Sequence, residues 1–156
     1  MGLWGRWGEA WYRVEEFYYD SRREGRQKTD SEYADALEAL ADGRPIREVV
    51  ADPSAASFLE CLRRRGWQVR RAENEVLSGI RTTGELLRTG RLVICPGCGD
   101  AIREFGLYRW DTSAGGRDQV CKEDDHAMDD IRYFAVTVAA KERGGSWAGS
   151  VERRIF

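Results

Sequence analysis

Two acidic positions far apart along the chain carry the chemistry that this sequence offers. Asp52 ends the apolar run Val49–Val50–Ala51 and stands directly before Pro53. An aspartate there can cap a helix, because its side-chain oxygen accepts from an orphan helix N–H. It also sits at the carboxyl end of a short strand, where binding sites of open α/β sheets collect. The second position lies in KEDDHAMDD, residues 122–130, where Glu123, Asp124, Asp125 and Asp129 place four acids within seven residues. On a helix Asp125 and Asp129 share one side, and His126 neighbours Asp129. Acids in a first helical turn are favoured by the helix dipole, but four exceed what a cap needs. A divalent cation would offset their mutual repulsion. Mg²⁺ and Mn²⁺ take hard oxygen ligands and keep several waters. Two such ions about 4 Å apart activate a water and stabilise the leaving oxygen in phosphodiester cleavage. Asp52 and Asp129 are the candidate metal ligands, and for Asp52 the cap and the ligand readings both stand. Two such carboxylates sharing space without metal should raise the pKa of at least one.

Other chemistries find less support. The single histidine lies among acids and not beside a nucleophilic Ser or Cys, which disfavours a Ser–His–Asp system. Residues 79–86, GIRTTGEL, have the two glycines of a phosphate-binding loop, but Glu85 and Leu86 stand where that loop needs Lys and Ser or Thr. No ATPase site is expected. Cys95 and Cys98 form an isolated CPGC, and Cys61, Cys121 and His126 are scattered. Structural zinc usually takes two paired knuckles, so four free thiols are expected, with Cys95 buried at the end of RLVIC.

These residues must be positioned by a small number of elements. The 156 residues suit one domain. A hydrophobic fraction of 42% with six Trp, six Tyr and five Phe is a globular composition. The net charge of −2 gives no overall attraction to nucleic acid; contact with DNA would fall to the basic stretches 21–28 and 63–71. No stretch approaches the length of a membrane span and no signal peptide is evident, so a cytoplasmic location without membrane contact is expected. Residues 1–10 read as a strand end and turn, and 11–19 as a strand. Thr29 and Glu32 make a capping box that opens a helix closed by Gly43. Then follow a strand over IREVVAD, a helix from Pro53 to Gly66, a strand over WQVRRA, a helix ending at Gly90 and a strand over RLVIC. Residues 100–110 read as a short helix or turn leading into a strand, and 111–118 as a loop. The last helix carries a core stripe of Met128, Ile131, Ala135 and Val138 at helical spacing. The alternation predicts an α/β fold with part of its sheet parallel and an antiparallel hairpin at one edge.

Beyond these patterns, KEDDHAMDDIRYF resembles the K-x-x-D-H-x-M-D-A-x-R-Y signature that closes the nuclease domain of large terminase subunits of tailed phages and prophages, in the PBSX-like branch. EEFYYDSRREGRQKTDSEYADAL, VVADPSAASFLECLRRRGW, RRAENEVLSGIRTTGELLRTGRLVI and IREFGLYRWD resemble further blocks of that domain in the same order. The resemblance spans residues 11 to 142. It implies an RNase H-like mixed sheet flanked by helices, and a two-metal endonuclease that cuts concatemeric double-stranded DNA during genome packaging. It implies Asp52 on the central parallel strand, Asp129 with His126 beside it on the last helix, and Asp125 as an auxiliary, with Mg²⁺ or Mn²⁺ as cofactor. The partners it implies are a terminase ATPase domain, a small terminase subunit and the portal. Asp129–Asp130 replaces the family's Asp–Ala. The family also carries a first catalytic Asp on an opening strand, whereas residues 1–19 contain no Asp. The expectation is therefore a nuclease domain over 1–142 lacking its complete first strand, with a flexible tail over 143–156. Glu15 or Glu16 is the substitute ligand the early strand offers. A non-catalytic DNA-binding or assembly module of the same fold is the alternative.

Overall fold

The computed structural model describes residues 1–109 and 125–142. The expected strand end at Trp110, the loop over 111–118, Cys121, Glu123, Asp124 and the tail over 143–156 lie outside the described residues.

The opening residues form a full strand, β1 (Gly2–Trp7), which turns at Gly8 into β2 (Ala10–Glu16). The expected strand end is thus one arm of an antiparallel hairpin, with a register shift between Leu3 and Trp4. Gly8 takes a φ of 60°, which glycine adopts without the Cβ penalty. The basic stretch after β2 contains a single helical turn, α1 (Ser21–Glu24), capped by Asp20. Helix α2 (Asp30–Ala41) opens on the predicted capping box between Thr29 and Glu32. There follow β3 (Val49–Ala51), α3 (Ala56–Arg64), β4 (Val69–Arg71), α4 (Val76–Arg88) and β5 (Leu92–Ile94). Helix α5 (Gly99–Leu107) is the short helix of the two alternatives expected there. Helix α6 (His126–Phe134) passes into a π-helical turn over Ala135–Ala139.

The result is a mixed α/β fold whose sheet comes in two pieces. One has the order β1-β2-β5, with β2 and β5 parallel; the other is the parallel pair β3-β4. Met128, Ile131, Ala135 and Val138 are all buried, as their spacing predicts. Met128, Ile131 and Ala135 pack α6 and its continuation against Leu86 of α4, Leu92 of β5 and Ala101 of α5. Cys98, not Cys95, is the buried thiol. Its Sγ donates to the Arg13 carbonyl at 3.3 Å, and burial pushes its pKa up, so the group is a protonated packing element.

Helix α6 packs against both sheet pieces at once. The Phe134 ring stacks on Trp4 of β1 with centroids 4.3 Å apart, while the preceding residue, Tyr133, reaches the residue just after β3. One helix therefore sets the separation of β1 from β3. Past the π-helical turn, Glu142 receives Arg6 at 2.9 Å and Arg47 at 2.8 Å, tying the end of β1 to the approach to β3.

Candidate functional site

Between β1 and β3 lies a cleft of about 890 Å³. Asp52, His126 and Asp129 all line it, as does Asp130. The fold thus brings a strand tip and the last helix to one opening. Asp125 is buried and does not line the cleft.

Asp52 follows β3 directly. Its Oδ1 accepts from the Ser54 N–H at 2.8 Å and its Oδ2 from the Tyr133 hydroxyl at 2.8 Å. The aspartate holds a local turn and does not cap α3, which starts only at Ala56 and has no side-chain cap. Partial burial alone would push the Asp52 carboxyl up. The donors at Ser54 and Tyr133 and the charge of Arg132 outweigh it and hold the pKa below its ordinary value. The expected rise is not found at Asp52: an amide and a hydroxyl donate to its carboxylate, and the charge of Arg132 adds to them. Tyr133 answers in the opposite sense, its pKa raised by burial and by its bond to Asp52.

Asp129 accepts from Arg132 Nη2 at 2.7 Å. Arg132 is 3% exposed and also donates to the Asn74 and Glu75 carbonyls at 2.9 and 3.1 Å, which ties α6 to the start of α4. Gly79 is what admits it. A Cβ there would lie 2.8 Å from both Cγ and Cδ of Arg132. Asp130 pairs with Arg13, which is 1% exposed on β2 and also reaches Glu16 at 3.4 Å. His126 opens α6, exposed, its ring 6.3 Å from that of Tyr18.

The start of α6 is held by a residue that sequence reasoning missed. Glu104 of α5 is fully buried and accepts from the Ala127 N–H at 2.7 Å, the Met128 N–H at 3.3 Å and the Tyr18 hydroxyl at 2.6 Å. Burial and the bond to Glu104 push the Tyr18 pKa up to about 12. The helix-capping work expected of the acids around position 125 is thus done from another helix. A glutamate in the middle of an amphipathic helix gives no sign of this; only the phase of α5, which turns Glu104 inward with Ala101, would have raised the question.

Neither candidate substitute for a further ligand is available. Glu15 is exposed and held by Arg44 at 2.7 and 3.0 Å. Glu16 turns to α5, accepting from the Asp100 N–H at 2.7 Å. Neither lines the cleft. Asp52 and Asp129 match Mg²⁺ and Mn²⁺ in donor type. They do not match in number: among the described residues no three His, Cys, Asp or Glu side chains are grouped to hold a metal ion. Asp52, Asp129 and Asp130 are each already engaged by the protein's own donors. The described residues therefore do not make up a complete cation site.

The basic stretches differ in availability. Arg65 is committed to Asp35 at 2.6 Å, Glu38 at 3.1 Å and the Ser31 hydroxyl at 2.6 Å, pinning α3 to α2. Arg64 pairs with Glu60 in its own helix, while Arg63 and Arg71 are exposed. Among the described residues no helix is long and apolar enough to cross a membrane.

Among solved structures, the chain is similar to the large terminase of a thermophilic bacteriophage in complex with ADP, with a TM-score of 0.84 and 39% sequence identity over 88% of this chain. The same protein bound to ATP-γ-S, and in a second crystal form, gives the same TM-score and identity. The mixed α/β fold described above matches part of that protein. The chain spans 35% of the length of the ADP-bound terminase. No family model and no curated protein matches the chain.

Proposed function

We propose that this chain is the nuclease-type, RNase H-like domain of a large terminase of the PBSX-like branch, and that it serves in packaging phage DNA. The observation that carries the reading is the shared cleft. Asp52 at the carboxyl end of a parallel strand and Asp129 with His126 on the last helix open onto one space, in a chain 39% identical over its matched length to a bacteriophage large terminase. Open α/β sheets collect their sites at such strand ends. Double-stranded DNA is the substrate in this reading. The ATPase domain of a terminase, a small subunit and a portal are its partners. Asp52 and Asp129 form half of a site for Mg²⁺ or Mn²⁺, and a further ligand has to come from outside the described residues. In this reading His126, exposed and lining the cleft, meets a phosphate. Asp125, being buried, supports the start of α6 and not the substrate. No hydrolytic step is assigned to these residues by themselves.

Mn²⁺ titration of the isotopically labelled chain, combined with a supercoiled-plasmid nicking assay, tests the half site. Paramagnetic broadening is expected first at the residues around Asp52 and Asp129, and it is expected to disappear in Asp52→Ala. The chain alone is expected to leave the plasmid intact. Nicking that survives both Asp52→Ala and Asp129→Ala, or broadening centred elsewhere, removes the assignment.

The lack of a three-ligand group among the described residues favours a second reading, a DNA-binding or assembly module without catalysis. In that case binding depends on salt and not on metal. Arg63→Ala then weakens it more than Asp52→Ala does, since Arg63 is exposed and Arg65 is occupied within the fold.

A further inference from the structure

On the reading of Asp52 and Asp129 as half of a metal site, we infer that Arg132 is a resident cation that competes with a divalent metal for the Asp129 carboxylate.

Among the described residues five carboxylates line the cleft, those of Glu48, Asp52, Asp129, Asp130 and Glu142. Arginines hold four of them. Glu48 receives Arg47 at 2.9 Å and Arg70 at 2.7 Å, and Glu142 receives Arg6 and Arg47. Asp130 pairs with Arg13, and Asp129 with Arg132 at 2.7 Å. Among the described residues only Asp52 is met by uncharged donors alone, the Ser54 amide and the Tyr133 hydroxyl. The two candidate ligands therefore differ. A metal reaching Asp52 displaces neutral partners, while one reaching Asp129 meets a positive charge already in place.

That charge is fixed where it stands. The Arg132 side chain is 4% exposed against 22% for Asp129, so water and salt screen the pair little. Its Nη1 donates to the Asn74 and Glu75 carbonyls, and its guanidinium lies 4.8 Å from the centre of the Tyr133 ring. Gly79 leaves room for its aliphatic stem and for nothing larger than a hydrogen beside it. A guanidinium does not give up its proton inside a protein. Arg132 therefore leaves Asp129 only by abandoning the carbonyls at the start of α4. Fastening α6 to α4 accounts for part of this arrangement and not for all of it. The Arg132 Nε is buried and has no hydrogen-bond partner among the described residues, and an unpaired buried donor is a standing cost. The same guanidinium also stacks on Tyr133, whose hydroxyl donates to Asp52, and its charge acts on that carboxylate too. One cation thus answers both candidate ligands. It keeps Asp129 ordered without metal and lowers the affinity of the half site for a lone cation.

Two substitutions in the whole 156-residue chain separate charge from packing. Arg132→Gln removes the charge and keeps an N–H donor for Asp129, whereas Arg132→Lys keeps the charge. Mn²⁺ affinity is read from the electron paramagnetic resonance of the free ion, and its location from paramagnetic broadening around Asp52 and Asp129. Arg132→Gln is expected to bind Mn²⁺ about tenfold more tightly than the parent. Arg132→Lys is expected to bind as the parent does, and adding Asp129→Asn to Arg132→Gln is expected to cancel the gain. A second readout needs no substitution and decides the matter where the variants do not fold. In the parent, Mg²⁺ titration is expected to shift the Arg132 guanidinium nitrogen signals as the bond to Asp129 yields. Unchanged or weaker Mn²⁺ binding in Arg132→Gln, or equal tightening in Arg132→Lys, overturns the competition and leaves the half site standing. Guanidinium signals that saturating Mg²⁺ does not move have the same meaning. Absence of broadening around Asp52 and Asp129 in both the parent and Arg132→Gln removes the half site and the competition together.

Discussion

Glutamate 104 decides where α6 begins, and with it where His126 and Asp129 stand. Its carboxylate is fully buried and serves three donors: the Tyr18 hydroxyl at 2.6 Å and the N–H groups of Ala127 and Met128 at 2.7 and 3.3 Å. Replacing it with alanine leaves two helix-end amides without partners in a dry interior and takes an acceptor from a half-buried phenol. Charge-assisted bonds of this kind contribute about 1.5–3 kcal/mol each, and the two short ones dominate. Part of that returns because a buried carboxylate no longer has to be desolvated. The balance is a loss of about 4 kcal/mol, a large share of the roughly 5–15 kcal/mol that holds a domain together. Glu104→Gln keeps one acceptor oxygen but turns an amide N–H toward a donor, and its loss is expected at about half of that. Urea denaturation at neutral pH measures both. Hydrogen exchange locates the effect, with the amides of Ala127 and Met128 losing protection before those of α4. An alanine variant within about 1 kcal/mol of the parent, or one whose exchange rises evenly over the chain, would show that α6 is held by its apolar stripe and not by this carboxylate.

The two glycines of α4 should respond to alanine with opposite signs. Gly79→Ala drives a Cβ into buried Arg132 and is expected to destabilise by about 1–3 kcal/mol, while Gly84→Ala meets nothing within 4 Å and should stabilise by up to about 1 kcal/mol; urea midpoints for the pair decide it. Tyr133→Phe removes a donor from Asp52, so the Asp52 pKa should rise toward its ordinary value near 3.8, read by carbon NMR of the carboxyl. A depressed folded pKa contributes stability that is present above the unfolded value and lost as pH falls through the folded one. The stability gap between parent and Tyr133→Phe should therefore be full near neutrality and shrink as pH falls below that value. A gap that widens in acid would mean that Tyr133 does not act through Asp52.

Much of this molecule is legible along the chain. The capping box at Thr29 and Glu32, the stripe Met128–Ile131–Ala135–Val138 and the strand–helix alternation each depend on residues within a turn or two of one another, where local geometry leaves little choice. The pairing of Asp52 with the last helix was also within reach, because strand tips in such sheets converge on one edge. What the chain could not disclose is who satisfies whom over long separations. Glu104 caps a helix on the far side of 110–124, Arg132 takes Asp129 for itself, and Tyr133 turns an aspartate expected to crowd another carboxylate into one held below its ordinary pKa. Nor could it reveal that the sheet of the described residues comes in two pieces, since a residue's type says nothing about which neighbour its N–H finds. Side-chain pattern and turn chemistry are properties of sequence; the pairing of buried charges and of strand edges exists only once distant segments have been brought together, and there the tertiary structure alone decides.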